Sequence, residues 1–208
     1  YNNLGNAFKD LYEFDDAVKS YQKAVEIDNN VYEPYYNLGV VLIQLKQFNK
    51  AIESFQSAID VNPSFAQAYN NLGSALMSQG RLDESVSYFQ KSLDVDNGYV
   101  NAHNNLGIAL TDLGQLKAGA KSIERAIEID PEFAEAHNSL GNIFKKFKKR
   151  DKALICYERA YAIKPDIDFV LGSILNTKMH LCIWDELSSQ IEDLAQRVDN
   201  NEKTVDPF

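Results

Sequence analysis

The sequence has few of the residues that build disulfide-linked, metal-bound or membrane-spanning proteins. Its 208 residues include two cysteines, three histidines and one tryptophan. No apolar run approaches the roughly 20 residues that a membrane-spanning helix needs. Cys156 lies beside a column of apolar positions, so we expect a reduced, buried thiol and a cytoplasmic protein.

Positive charge is also in short supply. The chain has 21 basic and 30 acidic residues, a net charge of −9, which argues against nucleic acid or an anionic membrane as the main partner. One segment, in the fifth repeat, is instead rich in basic residues, and it is either a solvated turn or a surface that docks onto an acidic partner. This basic turn consists of Lys145, Lys146, Lys148, Lys149, Arg150 and Lys152.

Internal repetition is the dominant feature of the chain. A Leu-Gly pair recurs every 34 residues, at positions 4–5, 38–39, 72–73, 106–107 and 140–141. An aromatic residue or histidine precedes each pair, and a small residue followed four positions later by a large apolar one comes after it. Spacings of three and four place these positions on one helical stripe. The period and its columns resemble the tetratricopeptide repeat, a helix-turn-helix unit, and predict an all-α, right-handed superhelical solenoid.

The period divides the chain into five repeats, at about 1–31, 32–65, 66–99, 100–133 and 134–167. Residues 168–208 continue the helical rhythm without a Leu-Gly pair, with Leu187, Ile191 and Leu194 at helical spacing, and are predicted to be a divergent repeat or cap. The second helix of a repeat is predicted to begin at a capping carboxylate or amide. These predicted caps are Asp15, Asn49, Asp83 and Asp151.

The residues give no support for catalysis or metal binding. His103 and His137 occupy equivalent positions in neighbouring repeats, where they replace Tyr in a packing column. Stacked helices lie about 8–10 Å apart, too far for both rings to bind one zinc ion at about 2 Å. We therefore expect a packing role for both histidines, no catalytic residue and no metal or cofactor in this chain.

Asparagine forms the most informative polar column. Asn3, Asn37, Asn71 and Asn105 each stand immediately before a Leu-Gly pair. At 100° per residue they lie about 100° from the Leu column, on a face that the apolar columns do not use. We call them the amide ladder, and we predict that the same face carries Asn6, Asp10, Asp112 and Asn142.

An amide can donate to and accept from an extended peptide backbone without reading its side chains. Asparagine in mid-helix costs helix propensity, and simple solvation explains poorly why four repeats bear that cost at one angular position. We therefore predict that the ladder binds extended polypeptides, and that replacing its residues by Ala leaves thermal stability nearly unchanged. The alternative is that these residues only solvate the helix surface.

Two stretches of sequence resemble a particular family. The repeats "AYNNLGSAL" and "AHNNLGIAL", and the segment "LGSILNTKMHLCIWDELSSQIEDL" with the later Pro207-Phe208, resemble SPINDLY-like and protein O-linked N-acetylglucosamine transferases of bacterial type. The resemblance implies that the ladder holds an acceptor polypeptide. It also implies that Met179 and Trp184 contact the chain's own catalytic domain, which this sequence lacks.

The resemblance sets the functional expectation. The chain is expected to be an internal piece of a longer cytoplasmic protein that moves a sugar from a UDP- or GDP-sugar donor to Ser or Thr of proteins. The chain itself would present the acceptor and perform no chemistry. A stand-alone repeat scaffold for protein-complex assembly is the alternative, and sequence beyond residue 208 would distinguish the two.

Overall fold

The structure is a computed structural model that describes residues 1–167, 169–184, 191–192 and 195. All regular structure in this part of the chain is α-helical, as predicted. The helices are α1 (Asn2–Asp10), α2 (Phe14–Ile27), α3 (Tyr32–Gln44), α4 (Phe48–Val61), α5 (Ala66–Ser78), α6 (Leu82–Val95), α7 (Val100–Asp112), α8 (Leu116–Ile129), α9 (Ala134–Lys146), α10 (Arg150–Ile163) and α11 (Val170–His180). No helix in the described ranges is long and apolar enough to cross a membrane.

The helices form two compact units, residues 1–113 and 114–208. In the first unit each helix packs on the next, and the odd-numbered helices α1, α3, α5 and α7 also contact one another in order. The second unit has the same helix-to-helix order for α8 to α10, and α11 packs on α10. The all-α tetratricopeptide-repeat fold is therefore confirmed.

The glycine of the Leu-Gly pair brings the two helices of a repeat together. A Cβ added to Gly39 would lie 2.6 Å from Phe55 Cε1, and one added to Gly141 would lie 2.5 Å from Tyr157 Cε1. Real Cβ atoms do not approach so closely, so any larger residue would force the helices apart. The aromatic rings are fully buried beneath these glycines, which explains why the two columns recur together.

A tight turn joins the helices within each repeat. In the second repeat Lys46 N donates to Ile43 O and Gln47 N to Leu42 O, the Schellman pattern with a left-handed residue after the helix. That residue recurs every 34 positions as Tyr12, Lys46, Gly80, Gly114 and Lys148, with φ between 56° and 79°. Only two of the five are glycines, so the other three bear the steric cost of this conformation.

The predicted helix caps are wrong by two positions. The second helices begin at Phe14, Phe48, Leu82 and Arg150, and none has a side-chain cap hydrogen bond. The Schellman turn leaves so short a connection that its last residue, such as Gln47, is also the first to accept from the next helix. The predicted caps are therefore the second residues of their helices: Asp15, Asn49, Asp83 and Asp151. The three carboxylates still interact favourably with the positive end of the helix dipole there.

Candidate peptide-binding site

The amide ladder lies on the odd-numbered helices of the first unit. Asn37, Asn71 and Asn105 are half-buried on α3, α5 and α7, and Asn3 is exposed on α1. The side chains therefore sit at the same position of successive repeats, partly shielded from water.

Hydrogen bonds join each half-buried rung to the preceding repeat. Asn37 Nδ2 donates to Asn2 Oδ1 at 3.1 Å and to Asn6 Oδ1 at 3.3 Å. Asn105 Nδ2 donates to Asn70 Oδ1 at 3.0 Å and makes a longer contact of 3.5 Å with Ser74 Oγ. The two pairs repeat the same sequence separations, 35 and 31 residues, so the bonds belong to the repeat geometry.

The middle rung follows the pattern with a different acceptor. Asn71 Nδ2 donates to the hydroxyl of Tyr36 at 3.0 Å, again 35 residues earlier. Asn71 Oδ1 accepts from Asn70 Nδ2 at 3.2 Å. Burial raises the pKa of Tyr36, and the bond from Asn71 opposes that shift. These two bonds occupy half of the four hydrogen-bonding positions of an amide, so the side chain is held in place with capacity remaining.

The residues that accept hydrogen bonds from the ladder form a second polar column, which was not predicted from the sequence. Asn2, Tyr36 and Asn70 each stand one residue before a ladder residue and accept from the next rung, and Asn104 occupies the same position in the fourth repeat. Asn70 and Asn104 are only 4% and 6% exposed, and Asn104 Oδ1 is buried with no hydrogen-bond partner in the described part of the chain. In the sequence, the residue 35 positions after Asn104 is Ser139, where the asparagine column ends.

Two predicted members of the face bond to core tyrosines. Asn6 Oδ1 accepts from the Tyr21 hydroxyl at 2.7 Å, and Asn142 Oδ1 accepts from the Tyr157 hydroxyl at 2.8 Å, both 15 residues apart. Each amide thus satisfies a phenol whose ring is fully buried. The other three repeats pair Val40 with Phe55, Ser74 with Phe89 and Ile108 with Ile123. Asparagine therefore accompanies the hydroxyl in every case, a signal that was readable in the sequence.

The predicted carboxylates of this face are at the ends of the outer helices. Asp10 and Asp112 close α1 and α7, and both are exposed. Asp10 lies 3.6 Å from Lys9 Nζ. Desolvation raises the pKa of nearby Tyr21 to about 12, and the Asp10 charge adds to the shift. Both carboxylates therefore place negative charge at the margins of the ladder face.

An apolar cleft opens between the second and third rungs. It measures about 220 Å³ and is lined by Val40, Ile43, Gln44, Phe55, Asn71, Ser74 and Ser78. Two shallower depressions also occur, one around Lys46–Lys50 and Gln79 and the other around Gly114–Ala118 and Phe147. These two occupy equivalent turn positions two repeats apart, so they belong to the general repeat architecture.

The histidines pack against backbone. Nε2 of His103 lies 2.9 Å from Asn97 O, and Nε2 of His137 lies 3.0 Å from Pro131 O, each six residues earlier. The two rings therefore have the same role in their repeats. Among the described residues no group of His, Cys, Asp and Glu side chains could hold a metal ion.

The basic turn and the predicted inter-domain residues are exposed. Lys149 Nζ and Lys152 Nζ each lie 5.8 Å from a ring centroid, of Phe147 and Phe144 respectively. Met179 is 52% and Trp184 61% exposed, at the end of α11 and just beyond it. Leu187, Leu194, Pro207 and Phe208 lie outside the described residues.

Comparison with known proteins supports the repeat assignment. Family models described as tetratricopeptide repeats match residues 64–132 and 104–166, and a model described as a TPR repeat matches 5–45 and 41–80. The search of curated proteins finds no match.

Solved structures with the same fold include MamA, YrrB and pilF. MamA is 25% identical with a TM-score of 0.69, over 79% of this chain and 96% of that one. YrrB is 24% identical with a TM-score of 0.66, over 86% and 90%. The pilF protein of Pseudomonas aeruginosa is 18% identical with a TM-score of 0.81, over 94% and 89%. With family models matched from residue 5 to residue 166, the chain belongs to the tetratricopeptide-repeat family.

Proposed function

We propose that this chain is a protein-binding module whose amide ladder captures the backbone of extended polypeptides. The observation that carries the proposal is the set of inter-repeat bonds on Asn37, Asn71 and Asn105. They fix the orientation of each amide while leaving hydrogen-bonding capacity. A preorganised group loses less conformational freedom on binding than a mobile one.

The spacing of the rungs suits an extended chain. Packed helices lie about 8–10 Å apart, and an extended strand rises about 3.3 Å per residue. Successive rungs would therefore meet about every third peptide residue, and in a polyproline II segment, which has three residues per turn, every third residue presents its backbone polar groups to the same side. Three rungs would cover a segment of about seven residues.

The fold is one on which a peptide site is known. YrrB, which shares the fold, is described as a TPR protein with an unusual peptide-binding site. The ladder residues of this chain, rather than that likeness, carry the assignment to the odd-numbered helices.

Fluorescence anisotropy with a labelled, unstructured peptide tests the proposal. The triple variant Asn37→Ala, Asn71→Ala, Asn105→Ala should bind at least tenfold more weakly, because each lost bond contributes about 0.5–1.5 kcal/mol. The double variant Lys148→Glu, Lys149→Glu in the basic turn is the matched control and should retain its affinity. Equal weakening in both would indicate charge attraction and contradict backbone capture.

We further propose that this module belongs to a cytoplasmic SPINDLY-like glycosyltransferase that uses a UDP- or GDP-sugar. Met179 and Trp184 support it, because exposed apolar side chains of this size at the end of α11 suit contact with a further domain. The natural full-length protein, incubated with labelled sugar nucleotides and cell protein, should transfer sugar to Ser or Thr. A protein that neither binds nor hydrolyses these donors would leave the stand-alone scaffold for complex assembly, which would use the same ladder.

A further inference from the structure

The cleft between α3 and α5 is apolar where the ladder face is otherwise polar. Val40 and Ile43 of α3 form one wall, and Phe55 of α4 lies beneath them. Asn71 stands in the opposite wall, on α5. A peptide backbone held by Asn71 would therefore pass directly over an apolar depression.

The polar groups of the lining are mostly directed elsewhere. The hydroxyls of Ser74 and Ser78 donate to the carbonyls of Asn70 at 3.1 Å and Ser74 at 3.0 Å, one turn back in the same helix. The lining includes no charged side chain. A charged group entering the cleft would lose hydration without gaining a counter-ion.

The equivalent positions one repeat earlier have a different character. In sequence, Val40, Ile43, Gln44 and Phe55 correspond to Asn6, Lys9, Asp10 and Tyr21. There the space holds the hydrogen bond between Asn6 and the Tyr21 hydroxyl. Val40 and Phe55 thus make this junction apolar.

Resting on the proposed function, we propose that the cleft is a side-chain subsite for a peptide residue of leucine, methionine or phenylalanine size, flanked on both sides by basic residues. The volume is sufficient, since a cavity of about 150 Å³ holds benzene. Asp10 and Asp112 supply the charge complementarity. With helices about 9 Å apart, these carboxylates lie about 14 Å to either side of the cleft, a distance that four extended residues span.

Labelled nine-residue peptides provide the probe. The parent carries lysine at both ends, leucine at the centre and serine and glycine between them. It should bind about tenfold more tightly than the peptide with a central alanine, because the additional methyl and methylene groups become partly buried. Replacing both lysines by glutamate should weaken binding several-fold at low salt and less at high salt.

Two variants address the cleft itself. Val40→Asn with Phe55→Tyr recreates the Asn6–Tyr21 pair that the chain already contains, and should reduce the leucine-over-alanine preference to below about twofold. Ser78→Leu fills the cleft from its exposed rim and should do the same without altering the core. Lys148→Glu with Lys149→Glu should keep the preference.

The outcomes separate the two proposals. Equal binding of the leucine and alanine peptides by the native protein, or an unchanged preference in both cleft variants, overturns the subsite and leaves backbone capture intact. Failure of every peptide to bind overturns the subsite and the proposed function together. Preference lost in both cleft variants and kept in the basic-turn variant supports the subsite.

Discussion

The hydrogen bond between Asn71 and the Tyr36 hydroxyl allows the structural and binding roles of the ladder to be measured separately. The two atoms are 3.0 Å apart, and both side chains are half-buried. Tyr36→Phe deletes only the hydroxyl, so Asn71 remains in place. We expect this variant to lose about 1 kcal/mol of unfolding free energy, the net value of one such bond.

Asn71→Ala should cost more than the single bond. It removes the partner of Asn70 Nδ2, which donates to Asn71 Oδ1 at 3.2 Å on a side chain only 4% exposed. An unsatisfied buried donor costs about 1–3 kcal/mol, whereas the higher helix propensity of Ala returns about 0.5 kcal/mol. Adding about 1 kcal/mol for the lost bond to Tyr36, we expect a net loss of about 1.5–3.5 kcal/mol, measured by urea unfolding.

The double variant closes the cycle. If the bond exists as described, the two changes should be non-additive by about 0.5–1.5 kcal/mol. In peptide binding, Tyr36→Phe should weaken affinity by less than about threefold, because Asn70 still holds Asn71, while Asn71→Ala should weaken it about fivefold or more. A coupling energy within the additivity error of about 0.3 kcal/mol would refute the ladder as an inter-repeat link.

Three further predictions concern the turns, the thiols and alkaline pH. Because both positions have positive φ, Lys46→Gly should raise the unfolding free energy by about 1 kcal/mol and Gly80→Ala should lower it by about the same amount. Both changes can be measured by urea unfolding. Exposed Cys182 should react rapidly with a thiol reagent at neutral pH and Cys156 slowly, since burial raises the Cys156 pKa to about 11; equal rates would contradict this. Burial raises the Tyr21 pKa to about 12, so its neutral form stabilises the fold fully below about pH 10 and this contribution disappears by about pH 12. Urea midpoints across that range should fall less in Tyr21→Phe.

The helices were predictable because their cause is local and repeated. Every 34-residue unit carries the same apolar columns at spacings of three and four, and helical amphipathicity depends on little else. The glycine and the aromatic 16 residues later, as in Gly39 and Phe55, recur together for a reason that the structure makes plain, since a Cβ has no room there.

The hydrogen bonds of the ladder were not predictable from the same columns. Whether Asn37 meets Asn2 and Asn6 depends on the rotation between one repeat and the next, and the sequence does not record that angle directly. The expectation that Ala substitution leaves stability unchanged treated the amides as facing only a ligand. The bonds between repeats now lead us to expect a loss of stability, as calculated for Asn71.

The Asn–Tyr pairs show a signal that was available but unused. Asparagine stands 15 residues before tyrosine in the first and fifth repeats, and the hydroxyl-free repeats have other residues there. Because an unpaired buried hydroxyl is costly, an asparagine that occurs only in the repeats with a buried tyrosine is there to accept the tyrosine's hydrogen bond. Asn6 and Asn142 therefore have a structural task that the rungs of the ladder do not share.

The ladder residues differ from these pairs in the partners they use. Asn37 and Asn105 donate to other amides, Asn2, Asn6 and Asn70, and Asn71 donates to the hydroxyl of Tyr36, whose side chain is half-buried rather than fully buried. A column needed only to link repeats could use a single donor, yet each rung supplies a donor and an acceptor. The Nδ2 groups make the inter-repeat bonds, and the carbonyl oxygens, of which Asn71 Oδ1 also accepts one bond from Asn70, are what the N–H groups of an extended backbone would use. If the amide links repeats through its N–H group and binds peptide through its carbonyl, peptide binding should survive Tyr36→Phe and be weakened by Asn71→Ala.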